Sequence, residues 1–317
     1  MVDIREEIAR RLARGERVAL ATVVATRRSA PRPVGSKLLV SENGELLGSV
    51  SGGCVESDVA AQAAEVIAGG EARLLTYGIA DDQAWEIGLP CGGEIDVFVQ
   101  SLEQKLPRDG DGALITALEG PRAGEQWFAE VEGPSRVLEL DGERVFAEVT
   151  ETPPRLVVVG ATDTAEELCR AAGALGWRTI VVDPRRGLVT RDRLPSPDEI
   201  VVAWPDELDL NGDDAVVVLT HEERLDVPAL TTALASDAFY IGAIGSRKTQ
   251  AKRRERLLDA GLAEKSLDRL AGPAGLDLGA DTPAETAVSI LGEILAVRAG
   301  RAGGRLVERS GPIHTTA

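Results

Sequence analysis

The chain has 317 residues, enough for about two domains that each bury a substantial core. Its 35 Lys and Arg against 52 Asp and Glu give a formal net charge of −17 and a pI near 4.7, a surface that repels polyanions and so disfavours nucleic acid and anionic membrane as partners. No apolar run approaches the roughly eighteen residues that a membrane helix needs.

Residues 1–17 are amphipathic and charged without an apolar signal core, which predicts a soluble, cytoplasmic protein. Cys54, Cys91 and Cys169 are an odd number without framework spacing, as expected in a reducing compartment. With only His221 and His314, and no Cys-x-x-Cys pair, a closed four-ligand zinc site has little to be built from.

In chain order, Ile4, Ile8 and Leu12 form a helical stripe. Val18 to Thr26 is a β-branched run suited to a buried strand. Lys37 to Val40 and Glu45 to Val50 form a hairpin around Asn43-Gly44. Between them, Arg27, Arg28, Arg32 and Lys37 lie beside prolines and a glycine, either as a solvated loop or as a cradle for an anionic group such as a phosphate.

Ser51-Gly52-Gly53-Cys54-Val55-Glu56 follows. The glycines let a ligand or another backbone approach closely. Val55, Val59, Ala63, Val66 and Ile67 share one helix face, so Cys54 falls near a helix N-terminus, where unpaired amides favour an anion and can lower a thiol pKa. The plainer alternative is a cysteine packed into a tight turn. Gly88-Leu89-Pro90-Cys91-Gly92-Gly93 repeats the pattern before the strand-like run Glu94 to Val99, after a further strand at Arg73 to Tyr77. Two glycine-flanked cysteines point to one shared site.

Ala113 to Leu118, Trp127 to Val131 and Arg144 to Val149 are short β-prone pieces, expected to be an extension and connector. Pro153-Pro154 marks a boundary. The expected domains are therefore residues 1–152 and 153–300, with a mobile tail over 301–317.

Arg155 to Val159, the turn Gly160-Ala161-Thr162-Asp163, a helix through Leu168 and Ala172, and a strand Thr179 to Val182 ending at Asp183 give the βαβ order of a dinucleotide-binding fold. Asp183 falls where such folds hydrogen-bond a ribose, but Thr162 replaces the glycine that admits a pyrophosphate. Strands continue at Glu199 to Ala203, Ala215 to Leu219 and Phe239 to Ile244. Gly245, Ser246 and Arg247 then open a basic helix, as a plain cap or as an anion site at the carboxyl edge of the sheet. Thr282-Pro283-Ala284-Glu285 is a capping box for a last helix. Cys169 suits core packing, and His221 suits either a proton carrier at the ligand edge or a polar loop position. Gly48-Ser49-Val50-Ser51-Gly52 puts valine at the nucleophile position of a serine-hydrolase elbow, so that chemistry has no support.

Taken together, Ser29-Ala30-Pro31-Arg32, Ser51 to Glu56, Cys91-Gly92-Gly93, Pro153-Pro154-Arg155-Leu156, Leu219-Thr220-His221, Tyr240 to Arg247 and Gly275 to Ala280 resemble the XdhC/CoxI family over nearly the whole chain. These are accessory proteins of molybdenum hydroxylases such as xanthine dehydrogenase. The resemblance implies an α/β protein with an N-terminal α+β XdhC/CoxI-like domain, then a Rossmann-like, doubly wound parallel-sheet domain. It implies a chaperone rather than a catalyst, one that binds molybdenum cofactor (molybdopterin), keeps it for sulfuration and delivers it to an apo-hydroxylase.

On that reading Cys54 and Cys91 contact the molybdenum centre or the transferred sulfur, and Arg32 and Lys37 hold the phosphate. Ser29, Gly52, Gly53, Glu56, Gly92 and Gly93 complete the first site, while Gly160, Asp183, Gly245, Ser246 and Arg247 line the second domain. The expected partners are an apo molybdenum hydroxylase and a sulfur-donating cysteine desulfurase, with the chain itself a homodimer. Family members commonly carry Gly-Ala-Gly-His where this chain has Gly160-Ala161-Thr162-Asp163, and aspartate where it has Glu222. Two other readings stay open: an NAD-dependent oxidoreductase using the second domain, or a regulatory scaffold with a degenerate Rossmann domain; the nucleotide of that domain would be NAD(P) or another.

Overall fold

The computed structural model describes residues 4–28, 30–78, 93–103, 106, 112–150, 152–308 and 310. The chain divides after residue 151 into two units. The first opens with helix α1 (Ile4–Ala13) and strands β1 (Val18–Arg27), β2 (Lys37–Ser41) and β3 (Leu46–Gly48). Helix α2 (Glu56–Ile67), β4 (Arg73–Tyr77) and β5 (Glu94–Leu102) follow. The five strands form one sheet in the order β3-β2-β1-β5-β4, with antiparallel neighbours throughout.

The apolar run of β1 follows from burial on both faces. Ala19, Ala21 and Val23 pack with Val59, Ala63 and Val66 of α2, and Val18 and Leu20 pack with Ile8 of α1. Each fully buried Val or Leu of this kind contributes about 1.5–3 kcal/mol.

Residues 113–148 are more than a connector. Strands β6 (Ala113–Ala117), β7 (Gln126–Ala129), β8 (Arg136–Leu140) and β9 (Glu143–Glu148) form a second antiparallel sheet in the order β7-β6-β9-β8. It covers the first sheet: Leu118 and Phe146 pack with Val24 and Phe98. The unexpected strand is β8, whose Arg136 and Glu139 are exposed while its apolar residues are only half-buried.

In the second unit come β10 (Arg155–Val159), α3 (Asp163–Ala174), β11 (Arg178–Val182), β12 (Glu199–Val201), β13 (Asp214–Val218) and α4 (Glu223–Ala235). Strand β14 (Tyr240–Ala243), α5 (Arg247–Asp259), β15 (Leu270–Ala271) and α6 (Pro283–Arg298) complete it. The sheet is parallel with order β12-β11-β10-β13-β14-β15, the doubly wound arrangement of a Rossmann fold. Leu156 and Val158 face α3 and α6, whereas Val157 and Val159 face α4 and α5. Covering both faces is what makes these strands continuous valine runs. After α6 the chain turns back, the amide of Arg301 donating to Ala296 O at 2.7 Å, and Leu306–Glu308 form a single 3-10 turn.

Candidate functional site

The loop before α2 is built around one carboxylate. Glu56 Oε1 accepts from Ser49 Oγ (2.5 Å), the amide of Val50 (3.1 Å) and the amide of Ser51 (2.8 Å). Its Oε2 accepts from the Gly53 amide (2.8 Å) and from Ser51 Oγ. Ser49 Oγ takes the Gly52 amide (2.7 Å), and Ser51 Oγ takes the amides of Cys54 and Val55 (2.9 Å each). The amides of residues 50–55 therefore all point inward. Burial opposes charge on Glu56, but the hydroxyls of Ser49 and Ser51 and the backbone amides outweigh it, holding the carboxyl down at about 2.

That arrangement corrects the expectation of free amides beside Cys54. Helix α2 starts at Glu56, its N-cap Val55 has no side-chain capping bond, and the amides that a cofactor anion would need already serve the loop's own oxygens. Glu56 is a builder of the loop, its acceptor capacity filled by the chain. Gly52 and Gly53 have φ of +77° and +112°, a left-handed backbone that only glycine adopts without strain. Among the described residues nothing lies within 4 Å of where their Cβ atoms would be, and both glycines are exposed. Cys54 is exposed, and among the described residues it forms no disulfide. The result is a soft, exposed thiol on a turn whose amides are all held by its own oxygens.

The basic loop splits into two kinds of cation. Arg27 pairs with Asp96 (Nη2 to Oδ2, 2.9 Å) and with Glu94. Lys37, expected to hold a phosphate, instead turns inward. Its Nζ donates to Glu148 Oε1 (2.5 Å) and Gly35 O (3.2 Å), and its side chain is only 10% exposed. The correction has a physical cause: Lys37 begins β2 with its side chain on the face covered by the second sheet, where an unpaired charge is costly. Arg28 and Arg32 are exposed and have no ion pair among the described residues. Arg28 sits at φ +61°, a left-handed conformation unusual for a residue with a side chain. Ser29, Cys91 and Gly92 lie outside the described residues, and Gly93 is buried just before β5.

In the second unit the Asp183 carboxylate is engaged by its own chain rather than free for a ribose. It is fully buried, and Oδ2 accepts from the Ala161 amide (2.9 Å) and from Arg185 Nη2 (2.6 Å), while Oδ1 accepts from Arg185 N and Nε (2.9 Å each). Burial works against its charge, but Arg185 and the Ala161 amide hold the carboxyl below its usual range. Arg185 also pairs with Glu222, joining the ends of β11 and β13.

Gly160 has φ +111°, and a Cβ there would meet Thr220 Cγ2 at 2.6 Å, which fixes glycine at this turn. Thr162 Oγ1 caps α3 by accepting from Ala165 N at 3.2 Å. Ser246 caps α5 in the same way, accepting from Thr249 N at 3.1 Å; Gly245 before it has φ +125°, and exposed Arg247 has no ion pair among the described residues. Asp183 and Ser246 follow strands three places apart in the sheet, about 14 Å, so they do not form one contact.

Sequence reasoning missed a buried relay under this edge. Thr220 Oγ1 donates to Asp226, Asp226 Oδ2 pairs with Arg253 Nη2 (2.7 Å), and Arg253 Nη1 donates to Ile244 O (3.0 Å). Its only sequence signal is Thr220-x5-Asp226, at the start of a helix that has no side-chain cap. Cys169 is buried in the core, and burial pushes its thiol up to about 12. Among the described residues no three of His, Cys, Asp or Glu gather as a metal site.

Both units have counterparts among known proteins. The XdhC and CoxI family matches residues 11–78, and the XdhC Rossmann domain matches residues 156–294. A probable xanthine dehydrogenase subunit from Bacillus subtilis is 28% identical, over 89% of this chain and 94% of that protein. The molybdenum cofactor insertion chaperone PaoD of Escherichia coli is also 28% identical, over 90% of this chain and 84% of its own length. A Bacillus halodurans protein, its crystal structure described as a xanthine dehydrogenase, shares the fold with a TM-score of 0.72 at 24% identity, covering 96% of this chain and 98% of that one.

Proposed function

The chain belongs to the XdhC/CoxI family, and we propose that it is a chaperone that carries molybdenum cofactor as cargo and inserts it into an apo molybdenum hydroxylase. The observation that carries the proposal is the Cys54 turn. A thiol is a soft ligand suited to a thiophilic metal, and here it is presented on an open surface with every neighbouring amide fixed. Glu56 keeps that surface rigid. Arg32, with Arg28 in place of Lys37, supplies free positive charge for the cargo's terminal phosphate. Cys91 is the second thiol of the proposed site.

The protein holds the cargo while its metal centre is sulfurated, sulfur arriving from a cysteine desulfurase, and it works in the cytoplasm as a homodimer. Within the Rossmann-like unit, exposed Arg247 beside the Ser246 cap is an anion contact of its own, and the unit does not hold NAD, because a ribose hydroxyl would have to displace Arg185 from Asp183.

Insertion is tested by incubating cofactor-loaded protein with an apo-hydroxylase of the xanthine dehydrogenase type. Hydroxylase activity is expected with the loaded protein and not with the same protein stripped of cofactor. No activity from a protein shown to carry cofactor would remove insertion from the proposal.

A further inference from the structure

A small cavity lies between the two sheets of the first unit, with room for one water-sized sphere, about 10 Å³. Its polar lining comes from both layers: Thr22, Lys37 and Gln100 from the first sheet, and Thr116, Gln126 and Glu148 from the second. Such polarity is unusual inside a sheet-on-sheet interface, where Val24, Phe98, Leu118 and Phe146 make an apolar core alongside.

Gln100 is 5% exposed, and its Oε1 receives no hydrogen bond from the described protein groups. A buried carbonyl left in that condition is costly. Donors nearby retain capacity. Lys37 Nζ has three hydrogens, of which Glu148 Oε1 and Gly35 O take two. Thr116 Oγ1 accepts from Gln126 Nε2 at 3.1 Å, leaving its own hydrogen to donate.

A guest that fits must donate to Gln100 Oε1 and accept from a lysine or a hydroxyl. It must also be small and need no counter-charge, since Glu148 Oε1 is already shared by Lys37 and, at 3.9 Å, by Arg5. Water alone meets these demands in so small a space. We propose that this cavity binds a single ordered water that donates to Gln100 Oε1 and bridges the two sheets beside the Lys37–Glu148 pair. The bridge gives the inward turn of Lys37 a role in joining the layers, and it is independent of the cofactor proposal.

The test is a crystal structure of the full chain at a resolution that shows ordered solvent. The expected result is a solvent peak about 2.6–3.2 Å from Gln100 Oε1 with a second partner among Thr22, Lys37, Thr116 and Gln126. No peak there, or a Gln100 amide turned so that Oε1 takes a protein donor, overturns the proposal. Gln100→Met keeps the side chain's length and removes the acceptor, so the peak is expected to be lost while the Lys37–Glu148 pair persists. A peak unchanged in that variant would also overturn it, because the water would then not depend on Gln100. If the variant does not fold, the parent structure alone decides.

Discussion

Glu56 and Lys37 look alike in sequence, charged residues next to glycine-rich turns, and both suit contact with the cargo on sequence alone. Their surroundings give them other tasks. Glu56 gathers two hydroxyls and three amides, and because it is partly exposed the lower end of the roughly 1.5–3 kcal/mol assigned to hydrogen bonds with charged groups applies. Glu56→Gln is therefore expected to lower stability by about 1–2 kcal/mol in urea unfolding.

The pH dependence has a definite sign. A carboxyl held at about 2 in the folded state, against about 4.3 when unfolded, contributes stability that is complete above about pH 5 and is lost as pH falls toward about 2. Melting curves between about pH 6 and pH 3 should show a smaller acid-induced fall in Tm for Glu56→Gln than for the parent. Equal falls would mean that the carboxylate does not organise the loop. Nothing near Glu56 in sequence reveals this role except the serines at 49 and 51, whose hydroxyls point at it only once the turn has formed. Lys37 is less legible still, since its partner Glu148 lies 111 residues away.

Among the elements, the parallel sheet is readable from sequence because strands buried on both faces must be apolar throughout. Leu156, Val157, Val158 and Val159 accordingly run together with no polar alternation. Strand β8 is not readable, since Arg136 and Glu139 leave it with only a half-buried apolar side. Helix α5 shows the same limit in one segment: its arginines are indistinguishable in sequence, yet Arg253 is buried against Asp226 while Arg254 faces solvent and pairs with Glu264. Breaking the buried pair by Asp226→Asn leaves Arg253 uncompensated and is expected to cost about 3–5 kcal/mol. Arg254→Ala should stay within about 0.5 kcal/mol of the parent. Urea unfolding of the two variants checks the contrast, and a small loss for Asp226→Asn would show that the relay does not hold α4 to α5.

The turn after β10 allows a prediction about nucleotides. With Asp183 locked to Arg185, isothermal titration of the parent with NAD should show no binding at about 1 mM. Micromolar binding would favour the oxidoreductase reading.

Across the whole molecule, the glycine-flanked thiol, the doubly wound sheet and the prolines between them are legible because each rests on local residue chemistry. The second layer of the first unit is not, because stacking Phe146 on Phe98 is a long-range choice that short β-prone pieces do not announce. What matters most for function is whether this fold carries molybdenum cofactor through the exposed thiol of Cys54. The decisive measurement is the molybdenum and pterin content of protein purified from a cofactor-producing host, parent beside Cys54→Ser. Both are expected in the parent, with at least about a tenfold loss of molybdenum in the variant at an unchanged Tm, a difference of about 1.4 kcal/mol or more in retention. A parent free of molybdenum and pterin, or a folded Cys54→Ser that retains them in full, would contradict that role for the thiol.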